Sequence, residues 1–199
     1  FLSRPSWCLN MLAAKKLNFG NIMGHVTNVT NLSSLASWTA DQFDPTLTWE
    51  DIAWIKDRWK GKLILKGIMD SEDAMLAVKA GADAIIISNH GGRQLDGAPS
   101  TISVLPEIVD AVNSKVEVHF DGGVRSGQDV LKALALGADC IHIGRPYVYG
   151  LGAKGQEGVE IAIEIIKKEL DLTMAMCGET NISNVGLHNL HHNPFKIIN

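Results

Sequence analysis

Through the middle of the chain, short unbroken apolar runs alternate with longer stretches whose apolar positions recur every three or four residues. The first run, "KLILKG" (62–67), ends at Lys66. "SEDAMLAVKAGAD" (71–83) follows as an amphipathic helix, with Ser71 as candidate N-cap and Ala-Gly-Ala as its stop. "AIIISNHGGR" (84–93) is the next strand, and "STISVLPEIVDAVNS" (100–114) the next helix. "VEVHFDGGVR" (116–125) then leads into "SGQDVLKALALGAD" (126–139), a helix capped by Ser126 with Asp129 in its first turn. "CIHIGRP" (140–146) reads as a strand ending in Gly144 and Arg145. A long amphipathic helix, "GQEGVEIAIEIIKKELDLTMAM" (155–176), stops near Gly178.

The pattern is strand–helix, four times over. The strand ends Lys66, His90, Asp121 and Gly144 recur at roughly the 25–30-residue length of one βα unit. "AGAD" (80–83) and "LGAD" (136–139) are one helix-stop, strand-start device used twice. Near-continuous apolar strands imply burial on both faces, hence a parallel sheet covered by helices. The predicted fold is α/β: the C-terminal half, strands 5–8, of a (β/α)8 TIM barrel. A closed barrel takes about 250 residues and this chain has 199, so the sequence reads as the second half of something larger.

Three parts are expected. Residues 1–46 form a loop and helical segment before the half-barrel, 47–180 the βα units, and 181–199 a C-terminal tail. "LTWEDIAWIKDRWKG" (47–61) is a helix with Thr48 as N-cap, and "NFGNIMGHVTNVTNLSSLAS" (18–37) reads as a long loop. "FLSRPSWCLNMLAAKKL" (1–17) fits a short helix packed on the barrel, with a membrane-surface helix as its second reading.

Composition narrows the function. A net charge of −4 gives no general attraction to nucleic acid. Three well-separated cysteines without a CxxC read as reduced thiols of a cytoplasmic protein. No metal site is expected. His142 and Cys140 read as strand residues filling the interior, and "HNLHHN" (188–193) sits in a polar tail without acidic partners in sequence.

The chemistry is expected at the C-terminal strand ends, which share one mouth in a barrel. There His90 can act as a base and Arg93 can grip a carboxylate bidentately. Gly122 and Gly123 free backbone N–H groups for an anion, the helix starting near Ser126 adds its positive end, and Arg125 and Arg145 add charge.

"KGIMDSEDAMLAVKAGADAIIISNHGGRQLDG", "DGGVRSGQDVLKALALGAD" and "IGRPYVYGLGAKGQEGV" together resemble the FMN-dependent α-hydroxy acid dehydrogenases and oxidases. "FDPTLTWEDIAWIKDRWKGKLILKG" is most similar to their bacterial L-lactate dehydrogenase branch. "SNHGGRQLD" is specific to the family, whereas the "DGGVRSGQDV" text also occurs in inosine monophosphate dehydrogenase and other phosphate-binding barrels. That rival needs a loop cysteine nucleophile, which Cys8, Cys140 and Cys177 do not supply.

The resemblance implies His90 as catalytic base and Arg93 as the substrate carboxylate clamp. It places Lys66 beside flavin N1 and Ser88 as a flavin contact, with Asp121, Gly122, Gly123, Val124, Arg125, Gly144 and Arg145 around the FMN phosphate and ribityl chain. It implies oxidation of an L-2-hydroxy acid, L-lactate first, with glycolate-type oxidation or mandelate dehydrogenation as alternatives. An inactive fragment keeping only an FMN or phosphate site is the reading from another class. The electron acceptor is a quinone, a cytochrome or oxygen. The whole protein is expected to be a homo-oligomer, a tetramer, either cytoplasmic or peripheral on the inner face of the cytoplasmic membrane. The family's second arginine, substrate-binding tyrosines and histidine-orienting aspartate lie in its N-terminal half, so this chain alone is expected to be inactive.

Overall fold

The computed structural model describes residues 4–14, 22, 25, 26, 29 and 32–191. The chain divides into two compact units, Phe1–Thr48 and Trp49–Asn199.

In the first unit, α1 (Pro5–Ala13) opens with proline, which suits a first helical turn, and exposes Leu9 and Leu12. Lys15 and Lys16, which end the proposed membrane-surface helix, lie outside the described residues. Residues 32–41 form a second helix, α2 (Leu32–Asp41), where a loop through residue 37 was expected. The Asn/Ser/Thr content suggested a loop, but Leu35 is buried and Thr39 Oγ1 turns back to donate to Leu35 O at 2.8 Å. The hydroxyl is thereby satisfied inside the helix.

The second unit begins with α3 (Trp49–Arg58), directly after Thr48. The βα series then runs β1 (Ile64–Ile68), α4 (Ser71–Lys79), β2 (Ala84–Ile87), α5 (Thr101–Val112), β3 (Glu117–Asp121), α6 (Gly127–Ala135), β4 (Cys140–His142), α7 (Arg145–Lys154) and α8 (Gln156–Met176). The four strands pair in parallel in the order β1-β2-β3-β4. Adjacent neighbours in sequence order are the arrangement of consecutive barrel strands, with no reversal of strand order.

The repeated "GAD" text has a structural cause. Gly81 and Gly137 end their helices at φ 82° and 101°, where a side chain would be strained. The aspartate that follows clasps the start of the preceding strand. Asp83 N donates to Leu63 O and Asp83 Oδ2 accepts from Leu63 N; Asp139 N donates to Val118 O and Asp139 Oδ2 accepts from Val118 N. Asp83 also accepts from Lys56 of α3 and from Lys62. These hydrogen bonds hold its carboxyl far below the ordinary carboxylate value.

The core lies between the sheet and its helices. Ile85, Ile87, Val118 and Phe120 meet Ala74 and Ala77 of α4, Leu105, Ile108 and Val112 of α5, Ala133 of α6 and Ile166 of α8. Burying a large aliphatic side chain is worth about 1.5–3 kcal/mol. The outward-facing residues of the strands therefore carry the packing.

Two helix boundaries differ from expectation. Asp70, not Ser71, caps α4 by accepting from Asp73 N, because its β-region backbone points the carboxylate at the first turn. Ser71 Oγ reaches Glu107 on α5 instead. β4 ends at His142, and Arg145 opens α7, so "GRP" starts a helix rather than finishing a strand. Pro146 in the first turn favours that start. Beyond α8, the tail is partly folded. Residues 182–184 and 187–189 form 3₁₀ turns, and Leu190 packs against the core. His188 and Asn189 both reach Glu179, which gives the histidine tract an acidic neighbour that sequence distance concealed. His192 and Asn193 of that tract lie outside the described residues.

Candidate active site at the strand ends

The strands deliver their C-terminal residues to one pocket of about 490 Å³. Lys66, His90, Arg93, Asp121, Gly122, Gly123, Val124, Arg125, Gly144 and Arg145 all line it, as do Gly91, His142 and Tyr147. Ser88 does not. It lies 3% exposed beneath the pocket and ties three strand ends together. Its hydroxyl donates to Asp121 Oδ2 at 2.7 Å and accepts from Lys66 Nζ at 2.6 Å and from His90 N at 3.2 Å. One donor and two lone pairs are thus all used, so Ser88 acts here as a bracket rather than as a surface contact.

Lys66 Nζ also donates to Asp121 Oδ2 at 2.7 Å. Desolvation pushes the Asp121 carboxyl upward. The hydrogen bonds from Lys66 and Ser88, with the lysine charge, outweigh it and hold the group below its usual value. The Lys66 charge is therefore delivered to the pocket already paired with a carboxylate.

The turn after β2 is built to present two side chains. Asn89 Oδ1 accepts from Gly92 N, and Asn89 Nδ2 donates to Pro99 O, which fixes both ends of the turn. His90 sits at φ 57° and Gly91 at φ 66°. A non-glycine residue in the left-handed region costs on the order of 1 kcal/mol or more, and such strain gathers at functional sites. Here it aims His90 at the pocket instead of along the strand. Among the described residues, neither the His90 imidazole nor the Arg93 guanidinium has a hydrogen-bond partner. Asp96, six residues along the same loop, accepts from Gly97 N.

The anion side differs from expectation in one respect. The N-terminus of α6 is closed by the protein itself. Asp129 Oδ2 accepts from Arg125 N and Ser126 N, Ser126 Oγ accepts from Asp129 N, and Glu169 Oε2 accepts from Gly127 N. Most of the amides around its start are thus already bonded within the protein, to two carboxylates and the Ser126 hydroxyl. The helix that opens into the pocket is α7, whose first turn has no side-chain cap and whose residues Arg145, Pro146 and Tyr147 line the pocket wall. Sequence reading missed it because β4 was read through to Arg145. Gly122 lets the turn after β3 pack closely on α5, since at φ 115° a Cβ would lie 2.8 Å from Thr101 Oγ1, whereas a Cβ on Gly123 would enter open space. Arg145 Nη2 donates to Gly91 O at 3.0 Å and ties the anion side to the His90 turn.

His142 was read as interior filling. It is half-buried, lines the pocket, and lies 3.1 Å from His119. Burial first, then the neighbouring His119, push its imidazole below the usual histidine value.

A parallel βα series brings a histidine, an arginine and an arginine-glycine turn to one mouth, an arrangement suited to an anionic ligand. The chain belongs to the FMN-dependent dehydrogenase family, whose model matches residues 1–192. It is 43% identical over 190 residues to an L-lactate dehydrogenase of Vibrio cholerae, covering 95% of this chain and 50% of that protein. It is 44% identical over 185 residues to an L-lactate dehydrogenase of Pseudomonas syringae, covering 92% and 49%. Among solved structures, the monotopic membrane protein (S)-mandelate dehydrogenase matches with a TM-score of 0.84 at 36% identity, over 93% of this chain and 48% of that one. Mandelate oxidase with (S)-4-hydroxymandelic acid matches with a TM-score of 0.72 at 46% identity, over 76% and 42%. The chain spans about half the length of the relatives it matches.

Proposed function

We propose that the protein oxidises an L-2-hydroxy acid, L-lactate first, to the 2-oxo acid with FMN. The observation that carries this is the pairing, at one pocket, of an unpartnered His90 and Arg93 with the glycine-arginine cradle opposite.

The residues fit the cofactor's anionic end. Gly123 lines the pocket with open space where a Cβ would stand, Arg125 and Arg145 supply cationic forks, and the first turn of α7 is uncapped. Lys66, paired with Asp121, would stand by the ring. Bound FMN would supply the acceptor for the hydride equivalent leaving Cα.

The chain's own residues then have separable tasks. Arg93 holds the substrate carboxylate with its planar fork and so aims Cα. His90 removes a substrate proton at an imidazole nitrogen, a step worth roughly 10²–10⁴-fold in rate for a positioned base. Lys66 offers a charge that stabilises negative charge developing nearby. The Ser88–Asp121 bracket fixes where that charge stands.

L-Lactate ranks first because the relatives at 43–44% identity carry that activity in their names. The mandelate enzymes among the structural neighbours support mandelate as the second substrate. Oxygen, a quinone or a cytochrome would reoxidise the cofactor. A peripheral membrane association is supported by the monotopic neighbour, and no helix among the described residues is long and apolar enough to cross a membrane. We assign the whole protein a homo-oligomeric, tetrameric state.

The test is anaerobic bleaching of the flavin absorbance in the protein that carries this chain. L-Lactate should bleach it, D-lactate should not, and (S)-mandelate should do so more slowly. If flavin is bound and no 2-hydroxy acid bleaches it, the proposal fails. The 199-residue chain alone should bleach with none of them, because His90 has no orienting carboxylate among the described residues.

A further inference from the structure

Below the strand-end pocket, the inner face of the sheet carries a second cluster of side chains. His119 on β3 and Cys140 on β4 are register partners across the parallel pair. His142 lies two residues past Cys140 and so projects from the same face. One donor atom from each of the three lies within 4.8 Å of the others. His119 Nδ1 and His142 Nε2 face each other at 3.1 Å, with ring centroids 5.2 Å apart and planes inclined at 36°. The other nitrogen of His119, Nε2, lies 3.2 Å from Glu117 Oε2.

We propose that His119, Cys140 and His142 form a binding site for a borderline-soft divalent cation of the zinc or cobalt type, with Glu117 orienting His119 from behind.

The donor set carries the choice of ion. Two imidazole nitrogens and a thiolate suit zinc-like ions and discriminate against magnesium and calcium, which take oxygen ligands. The Glu117–His119 contact supplies the outer carboxylate that metal-bound histidines ordinarily have. It fixes the tautomer so that Nδ1 carries the free lone pair toward the cluster.

Position argues the same way. The interior layers of such barrels are filled mainly by bulky branched side chains. Here three adjacent inward positions carry a histidine, a thiol and a histidine. Without a cation, the two facing ring nitrogens share a single proton between them; a cation satisfies both lone pairs at once. Binding ionises the Cys140 thiol: its S–H bond breaks, an S–metal bond forms, and the proton passes to solvent.

The geometry needs little adjustment. Tetrahedral bonds of zinc length place N and S donors about 3.3–3.8 Å apart. The imidazoles must part by a few tenths of an ångström and the thiol must swing inward. His142 also lines the 490 Å³ pocket and pairs in register with Asp121, so a cation would reach the cluster from the pocket and stand beside the Lys66–Asp121 pair. None of this depends on the flavin reading.

The experiment titrates purified protein, stripped with chelator, with Co²⁺ and then Zn²⁺, recorded as difference spectra. One equivalent of Co²⁺ should produce a thiolate-to-cobalt band in the near ultraviolet and intense visible bands of four-coordinate cobalt, and one equivalent of Zn²⁺ should displace them. Cys140→Ser should abolish the near-ultraviolet band. His142→Phe and His119→Phe should weaken binding at least about 10-fold. Cys177→Ser and His188→Ala should change nothing. No band at one equivalent, a band that survives Cys140→Ser, or one lost in Cys177→Ser overturns the site. A variant-free measurement covers any that fail to fold. One equivalent of Zn²⁺ should slow iodoacetamide labelling of Cys140 about 10-fold or more in the unaltered protein while Cys177 labels at its former rate. Equal rates at Cys140 with and without Zn²⁺ overturn the proposal as well.

Discussion

The two faces of the β1–β4 sheet differ most on β3 and β4 and at the strand ends. Toward the helices the strands present Leu65, Ile85, Ile87, Val118, Phe120 and Ile141, all within or against the core. Toward the other side Ile64, Ala84 and Ile86 alternate with Lys66, Ser88, Glu117, His119, Asp121, Cys140 and His142. Stability is concentrated on the first face, where burial is high and nothing polar needs a partner. The second face spends its polar groups on one another, as in the Lys66–Ser88–Asp121 bracket, or leaves them open, as at His90 and Arg93. A parallel sheet can divide its labour this way because successive side chains point to opposite faces. Substitutions should therefore separate cleanly: one face should move folding, the other should move chemistry and ligand affinity.

The largest expected effect lies on the chemical side. In the protein carrying this chain, His90→Gln should lower turnover on L-lactate by roughly 10²–10⁴-fold. FMN content and the melting temperature should stay close to those of the parent. Near-normal turnover would remove His90 from the role of base. Loss of FMN alongside activity would show that the strained turn is structural, because His90 has no contact with the arginine-glycine cradle beyond its neighbour Gly91.

The opposite result is expected from Leu105→Ala, on α5 over the packed face. Leu105 is fully buried. Truncation of such a residue costs about 2–5 kcal/mol, through lost transfer energy and the cavity left behind. Denaturant unfolding should register that loss, while the rate per bound flavin remains within about twofold of the parent. A rate loss as large as that of His90→Gln would mean that the two faces are coupled.

This division also explains what could be read from sequence. The packed face was legible because its signal is local: apolar runs, helical periodicity, the two "GAD" stops. The strand ends were legible because each run terminates in a residue that no core needs, and His90, Arg93, Arg125 and Arg145 do converge on one pocket. What stayed hidden depends on register and on competition between partners. His119 is far in the sequence from Cys140 and His142, and only the pairing of β3 with β4 makes them neighbours. The start of α6 looked like an anion site, yet Asp129 and Glu169 already bond the amides of Arg125, Ser126 and Gly127. Glu169 lies on another helix, so no local pattern predicts it. The Arg145 turn was read as the end of β4, because strand and helix start share the same apolar approach.

A smaller effect is expected at that turn. Arg145→Ala should weaken FMN binding by about 10- to 100-fold, the loss of one charge-assisted contact of roughly 1.5–3 kcal/mol. The rate per bound flavin should be nearly unchanged. Arg125→Ala should act in the same direction. Equal flavin occupancy in parent and Arg145→Ala would move the phosphate away from α7, and a fall in rate at full occupancy would mean that its bond to Gly91 O positions the His90 turn.

The smallest effect concerns acid. Asp83, at the foot of the packed face, is held well below its ordinary value by its hydrogen bonds with Lys56, Leu63 N and Lys62. Asp121, on the chemical face, is shifted the same way, against desolvation, by Lys66 and Ser88. A carboxyl whose folded-state value lies below its unfolded value adds stability that is fully present above the unfolded value, about pH 4 for aspartate. That stability is lost as pH falls through the folded value, because the unfolded chain then takes up the proton first. Asp83→Asn should therefore destabilise the fold at neutral pH and flatten the fall of its melting temperature below about pH 4. Asp121→Asn should flatten the same limb and also alter ligand binding, since it frees Lys66. Asp139 serves as the control, with the same clasp on the preceding strand but no lysine beside it among the described residues. If Asp83→Asn and Asp139→Asn give parallel curves, the lysine pair adds nothing to the acid response, and the clasp to the strand backbone is the whole of what the repeated "GAD" contributes.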